Sequence, residues 1–178
     1  MPNSKRKGNK FELSVSKWFT KFSGYQFQRV PYSGAIHNNR DLASDVMCND
    51  EKHAHKCKIS IECKNYKEIK FEHLLLGTKT CEIAKFWNQA INDATRAKKI
   101  PILCIRYNSM PKNEFFMIVD HTLLKAFNLK LLKHYMIVRS PDIKPNKLYI
   151  FMASEVMDNV KYIEIHKLAR QSSRLLYK

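Results

Sequence analysis

The chain has 178 residues, 44% of them apolar, so it is long enough for one domain with a hydrophobic core. Lysine and arginine number 32 against 16 acidic residues, and the net charge of +16 favours a polyanionic partner: nucleic acid first, an anionic membrane surface second. No run of about eighteen apolar residues and no charged-then-apolar leader is present, so we expect neither a membrane span nor a signal peptide.

The first predicted element is a helix over 8–22, preceded by a polar, basic arm at 1–7. Its apolar residues recur at helical spacing: Phe11, Val15, Trp18, Phe19 and Phe22. Glu12 falls at the edge of this apolar arc, so we expect its carboxylate to be half-buried and to face whatever the helix packs on.

The next predicted segments are a strand over 25–30, a break at 31–34, a polar connection over 36–43, and two antiparallel strands over 44–48 and 58–64. The charged segment 49–56 joins the last two strands. Because side chains alternate along a strand, Glu62 and Lys64 share one face with Ser60, and apolar side chains occupy the other face.

Helices and strands continue to alternate along the middle of the chain. In order they are a short helix over 71–76, a turn at Gly77, a long helix over 80–98, a strand over 101–107, its hairpin partner over 115–119 and a short helix over 121–127.

The last third is predicted to hold strands over 135–139, 148–154 and 162–166 and a basic C-terminal helix. We expect an α/β (α+β) fold, with a mixed central sheet flanked by helices and a β-rich C-terminal extension. A boundary near residue 130 is conceivable, but no linker composition marks it. The prediction is therefore one domain over 1–178, with a core at 7–128 and an elaboration at 129–178.

The five cysteines are an odd number, and Cys63 and Cys104 lie in apolar, strand-like runs. This pattern is typical of buried, reduced thiols rather than of a disulfide framework, and it predicts an intracellular, cytoplasmic protein.

Two carboxylates on neighbouring predicted strands, Asp45 and Glu62, are candidate ligands for a divalent metal. Mg²⁺ takes carboxylate and carbonyl oxygens and keeps several waters, so the backbone carbonyl of Cys63 is a candidate third ligand. Lys64 shares the strand face of Glu62 and can orient an attacking water, and Glu12 can complete the outer shell. This constellation predicts phosphodiester hydrolysis, in which a metal offsets the charge of the phosphate.

An Asp and a Glu-x-Lys also arise together by chance, and the face of Ser60, Glu62 and Lys64 could be ordinary solvated surface. Nuclease function is favoured because the Glu-x-Lys strand occurs together with Glu12, a Ser33-Gly34 turn and the high positive charge.

The order of motifs resembles the PD-(D/E)xK nuclease superfamily, and within it the Holliday junction resolvases of the archaeal type and their phage-encoded relatives. The motifs that carry the resemblance are Lys7-Gly8…Glu12, Tyr32-Ser33-Gly34, Ser44-Asp45-Val46 and Ile61-Glu62-Cys63-Lys64. The resemblance covers roughly residues 7–120.

This resemblance implies a restriction-endonuclease-like core, a homodimer, dependence on Mg²⁺ (with Mn²⁺ able to substitute) and paired cuts in branched DNA. It implies catalytic roles for Glu12, Asp45, Glu62 and Lys64, and for Ser33 as an active-site serine approaching the phosphate. A phage-encoded member would act in the host cytoplasm.

The chain departs from the family pattern at a few positions. Ser44 replaces the usual Pro or Gly before the motif aspartate, and the connection from Asp45 to Glu62 is longer than usual. Gln89, on the flank of the long helix, resembles an extra glutamine of other superfamily branches and is a further catalytic candidate. Asp41 is an alternative ligand, although its place in the polar connection favours Asp45.

Other polar residues have two interpretations each. The spacing Cys48-x4-His53-x-His55-x-Cys57 offers four zinc-capable ligands but matches no standard zinc motif. The candidate DNA-binding residues are Lys5, Arg6, Lys7 and Lys10 near the start, Arg29, and a basic stripe on the last helix of Lys167, Arg170 and Arg174. Each of these sets could instead be ordinary solvated surface.

The resulting prediction is a Mg²⁺-dependent endonuclease that resolves four-way DNA junctions as a homodimer. The alternatives are another endonuclease of the same superfamily, acting in restriction, repair or flap or duplex cleavage, and a non-catalytic DNA-binding protein on that fold.

Overall fold

The computed structural model describes residues 4–30, 44–73, 81–141, 143 and 147–177. The predicted break at 31–34, the connection over 36–43, the second half of the short helix over 71–76 and the turn at Gly77 lie outside these ranges, and Ser33 and Asp41 lie there with them.

Within the described ranges, seven strands form one mixed sheet. They are β1 (Phe27–Arg29), β2 (Val46–Cys48), β3 (Ile59–Tyr66), β4 (Ile100–Tyr107), β5 (Phe116–Val119), β6 (Tyr135–Arg139) and β7 (Lys147–Met152). Their order across the sheet is β1-β2-β3-β4-β5-β7-β6. Only the β3–β4 pair is parallel, with Glu62 opposite Leu103, and the other pairs in the described sheet are antiparallel.

The described α-helices are α1 (Ser4–Ser23), α2 (Glu82–Arg96), α3 (His121–Leu124), α4 (Ala153–Asn159) and α5 (Tyr162–Leu176). A short 3₁₀ turn at Ala54–Lys56 lies between β2 and β3. Among the described residues, no helix combines the length and apolar character needed to cross a membrane.

Helix α1 follows from its apolar spacing, because Phe11, Val15 and Phe19 are buried against the sheet. It ends at Gly24, which adopts a positive φ of 73° and donates its N–H to the carbonyl of Thr20 at 3.0 Å. The helix begins at Ser4, so the prediction of an arm over 1–7 is wrong for residues 4–7.

The two faces of the sheet have separate hydrophobic cores. Helices α1 and α5 pack on one face, where Val15, Ile61 and Ile165 are buried in the same cluster. Helix α2 packs on the other face, where Trp87 contributes to a cluster with Leu103. The mixed sheet flanked by helices confirms the predicted fold class.

The last third differs from prediction at two elements. The helix α4 over Ala153–Asn159 was not predicted, and its first two residues were assigned to the preceding strand. Residues 162–166, predicted as a strand from their alternating pattern, form the first turns of α5. Tyr162, Ile165 and Ala169 also have helical spacing and are buried in the core shared with α1. This longer period prevails because a helix can bury all three on one side. Strands β6 and β7 extend the central sheet beyond β5.

Candidate active site

Glu62 is the centre of the candidate site and is only 5% exposed. Its Oε1 atom accepts hydrogen bonds from Lys64 Nζ at 2.7 Å and from Gln89 Nε2 at 2.9 Å. Ser60 on the same strand face is also buried, and its hydroxyl lies 2.7 Å from that of Ser44. The strand face that could have been solvated surface is therefore enclosed at Ser60 and Glu62.

Asp45 immediately precedes β2 and is tied to both neighbouring strands. Its backbone N–H donates to Ile61 at 3.0 Å, and its carbonyl accepts from Val30 at 2.8 Å. Its Oδ2 atom accepts from the backbone N–H of Cys63 at 2.9 Å. The Asp45 carboxylate is thus held beside the residue that follows Glu62.

Glu12 reaches the site from α1 and is held by Arg29 of β1. The Arg29 guanidinium donates its Nε–H to Glu12 Oε2, and its Nη2 donates to Asn9 Oδ1 at 2.8 Å. The Glu12 side chain is 15% exposed, in agreement with the predicted half-burial. Arg29 therefore orients the carboxylate of Glu12, which was predicted to lie in the outer shell of the metal.

Burial and the charge of Asp45 both act on the pKa values of Glu62 and Glu12. Burial, together with the charge of Asp45, raises the pKa of Glu62 from 4.5 to about 8. Burial also raises the pKa of Glu12, and Asp45 adds to this rise while Arg29 opposes it. A buried acidic group of this kind, beside a second carboxylate, is common at functional sites.

Lys64 keeps its proton in this environment. Burial works to lower its pKa, but the charge of Glu62 and the hydrogen bond to it outweigh burial, so the pKa is raised above 10.5. The side chain is therefore an ammonium group at neutral pH and acts as a donor rather than as a base.

Replacing Arg29 with Met is expected to slow cleavage by about tenfold at neutral pH, since a hydrogen bond to a charged group is lost. The pKa of Glu12 should rise further, so the deficit should widen as the pH falls. Cleavage rates across a pH series would measure this. Lys17→Met, which removes an exposed cation of α1, is the matched control, and Arg29→Lys should recover part of the rate. A deficit that does not vary with pH would contradict the role of Arg29.

The residues present fit a divalent metal in part. Asp45 and Glu62 are electrostatically coupled, and repulsion between buried carboxylates is relieved when a dication binds. Across 4–30, 44–73, 81–141, 143 and 147–177, however, no group of three or more His, Cys, Asp or Glu side chains could hold a metal ion. A site here would need a backbone ligand, such as the Cys63 carbonyl, and water.

The alternative zinc site is not supported. All four of its residues are described, and they belong to no such group. His53 Nδ1 lies 2.9 Å from Asp50 Oδ1, and its imidazole ring stacks on Tyr25 at 3.8 Å. All five cysteines are buried and free of disulfides, as expected for reduced thiols.

Among the predicted DNA-binding residues, Arg29 contacts Glu12, and the others fall into two groups. On α1, the Lys7 ammonium donates to Asn108, and the Lys7 backbone carbonyl accepts from the side-chain amide of Asn65 at 3.5 Å. Asn65 is the residue that follows Lys64 on β3. Arg6 and Lys10 are exposed on the same helix, and the side chain of Lys5 lies outside the described side chains. The basic stripe of Lys167, Arg170 and Arg174 lies on α5, whose core residues pack on the sheet face opposite α2.

Two residues near the site were not predicted to have a role there. Asp93 on α2 raises the pKa of Glu62 further by its charge. Asn9 accepts from Arg29 and so helps to fix Glu12. Asp93 follows Gln89 by one helical turn, and that spacing could have identified it. No sequence signal pairs Asn9 with Arg29, because their contact is tertiary.

The family described as "Phage putative PDDEXK endonuclease" matches residues 3–169 of this chain. The chain belongs to this family of phage PDDEXK endonucleases. The superfamily prediction is thus confirmed, and the mixed sheet with flanking helices is consistent with a restriction-endonuclease-like fold.

A curated relative of this PDDEXK endonuclease chain is Protein D14 of Escherichia phage T5, which is 25% identical over 104 residues. The alignment covers 58% of this chain and 64% of that protein, so the chain spans less than two thirds of the relative's length. No solved structure matches the chain significantly.

Proposed function

We propose that this family member is a metal-dependent DNA endonuclease that hydrolyses phosphodiester bonds in branched DNA, most specifically as a Holliday junction resolvase. The observation that carries the proposal is the buried Glu62 carboxylate, which contacts Lys64 and Gln89 and is coupled to Asp45. The net charge of +16 supports a DNA substrate.

In this proposal Asp45, Glu62 and the Cys63 carbonyl hold Mg²⁺, or Mn²⁺ in its place, with Glu12 in the outer shell. The metal supplies charge neutralisation at the phosphate and a more acidic bound water. Asp45 is oriented by the Cys63 N–H, and Glu12 is oriented by Arg29. Both carboxylates are therefore preorganised before substrate arrives.

Lys64 has a separate role as a proton-bearing donor. Its ammonium group lies 2.7 Å from Glu62 and is only 20% exposed, so little water competes for it. The ammonium group would orient the attacking water and would offset charge on the phosphate. Ser33 is proposed to approach the same phosphate.

The proposed substrate contacts combine several basic residues with a dimeric arrangement. Lys5, Arg6, Lys7 and Lys10 would contact the phosphates nearest the site, and Lys167, Arg170 and Arg174 would contact a more distant part of the branched DNA. A two-fold homodimer would cut two strands symmetrically. The segment 129–178 is proposed to belong to the same domain, and the protein is proposed to act in the host cytoplasm.

A second candidate is another endonuclease of the same superfamily, acting on duplex or flap DNA. The hydrogen bond from Gln89 to Glu62 favours this candidate, because Gln89 resembles an extra glutamine found in other branches of the superfamily. The two candidates share the chemistry and differ in substrate.

The test is a cleavage panel of four-way junction, flap, mismatched and linear DNA, each with Mg²⁺, Mn²⁺, Ca²⁺ or EDTA. We expect paired, symmetric nicks in the junction with Mg²⁺ or Mn²⁺ and none with EDTA. Preferential cutting of flap or linear DNA would select the second candidate. If no substrate is cut with any ion while DNA is bound, the protein is a non-catalytic DNA-binding protein.

A further inference from the structure

An aromatic cluster continues the strand face of the candidate site beyond Lys64. Tyr66 follows Lys64 by two residues on β3 and therefore points to the same face. Its ring lies 4.7 Å from that of Phe86 on α2, at an interplanar angle of 44°. On the neighbouring strands Tyr107 and Phe116 extend the cluster, with ring centroids 6.2 Å apart.

Tyr66 differs from its aromatic neighbours because it is exposed. It is 37% exposed, whereas Phe86, Tyr107 and Phe116 are each less accessible. A tyrosine that only sealed the edge of the α2 core would be expected to bury its ring. Tyr66 instead packs its ring against that of Phe86 and stays partly exposed to solvent.

The exposed ring lies directly beside the candidate catalytic cation. Both groups lie against the same ring: the Lys64 ammonium is 5.7 Å from the centre of the Phe86 ring, and the Tyr66 ring is 4.7 Å from it. Two residues of a strand span roughly 6.6 Å, so Tyr66 is within reach of a nucleotide next to a phosphate held at Lys64.

Two lysines lie at the same end of the sheet as Tyr66. Lys67 is exposed and follows Tyr66, and its carbonyl accepts from the N–H of Asn108 at 3.4 Å. The Asn108 side chain also accepts from the Lys7 ammonium, so the backbone of one lysine and the ammonium group of another both contact the residue that follows Tyr107. An aromatic surface beside lysines such as Lys64 and Lys7 is an arrangement that binds single-stranded nucleic acid, because bases stack on the rings and the cations neutralise phosphates.

We propose that Tyr66, supported by Phe86, is a stacking platform for an unpaired nucleobase adjacent to the scissile phosphate. The inference rests on the proposed nuclease function and adds to it a source of specificity. Because every base presents a π face, this platform would select for an unpaired nucleotide at a branch and not for its sequence.

The test measures DNA binding without cleavage, in EDTA. The probe is a short duplex with a single-stranded overhang that contains 2-aminopurine, whose fluorescence falls when it stacks on an aromatic ring, and the fully paired duplex is the comparison. Tyr66→Leu keeps an apolar contact with Phe86 but removes the stacking ring. We expect it to weaken binding of the overhang probe by about tenfold, to leave binding of the paired duplex within about twofold, and to abolish the fluorescence decrease.

Two variants are controls. Tyr66→Phe keeps the ring and should match the wild type within about twofold. Tyr135→Leu removes a similarly exposed tyrosine on β6, four strands away in the sheet and roughly 19 Å distant, and should change nothing.

The proposal is overturned if Tyr66→Leu binds both DNAs as the wild type does, or if it loses affinity for both equally, since either result denies selective stacking. A protein that cuts no DNA but shows the selective loss would refute the proposed function and leave the platform standing. A protein that cuts DNA but shows no selective loss in Tyr66→Leu would support the proposed function and refute the platform.

Discussion

Asp45→Asn is expected to reduce the cleavage rate by about a thousandfold or more while the protein stays folded. The asparagine Oδ1 can still accept from the Cys63 N–H, which Asp45 Oδ2 now accepts at 2.9 Å, so the link between the strands persists. The lost negative charge removes a metal ligand worth several kcal/mol in the transition state. Because Asp45 also raises the pKa of Glu62, that pKa should fall in the variant.

Single-turnover cleavage of the preferred substrate would measure the loss, and anisotropy with the same DNA would show that binding is retained. DNA affinity should equal or exceed that of the wild type, since one repulsive charge has been removed from the surface that receives phosphates. Asp158→Asn, at an exposed position of α4, is the matched control and should cleave normally. Normal cleavage by Asp45→Asn would refute the metal site.

Glu62→Gln is expected to remove cleavage and also to change how stability depends on pH. The pKa of Glu62 is about 8 in the folded protein, against an ordinary value of 4.5, so the folded state binds its proton more tightly than the unfolded chain does. Its contribution to stability is complete below pH 4.5 and is lost as the pH rises through about 8. Glutamine stays neutral and avoids this loss.

Without metal, the free energy of unfolding of the wild type should therefore fall more steeply than that of Glu62→Gln between these pH values. Above pH 8 the variant should be the more stable by on the order of a few kcal/mol. Urea unfolding at several pH values would measure the difference, and the comparison cancels groups common to both proteins. Mg²⁺ should raise the melting temperature of the wild type and not that of the variant. If the free energies of unfolding of the two proteins changed in parallel with pH, the raised pKa of Glu62 would be contradicted.

Local periodicity predicted most of the elements that carry the site. The helical spacing of Phe11, Val15 and Phe19 corresponds to α1, and the alternation around Glu62 corresponds to β3. It failed over 162–166, where a short alternating run also fits a helix and only the position of the core distinguishes the two. Short patterns carry too few residues to separate a period of two from one of 3.6.

The candidate residues could be predicted from the sequence, but their contacts and their exposure to solvent could not. Metal chemistry at a phosphodiester uses carboxylates and a lysine, which is why Glu12, Asp45, Glu62 and Lys64 were candidates, and their catalytic roles stay a prediction. Gln89 was ambiguous until the structure brought its amide to 2.9 Å from Glu62. An aromatic role for Tyr66 could not be predicted, because a single tyrosine after the motif carries no information about its exposure.

The amino-acid sequence alone determined the basic charge, the helix and strand periods and the chemical types available for a metal site, since these depend on composition and local order. Only the tertiary structure decided that α2 covers Glu62, that Arg29 holds Glu12 and that the ring of Tyr66 stays open to solvent. The physical reason is that pKa values, ion pairs and exposure depend on which atoms exclude water from a group. Those atoms come from segments far apart in the chain.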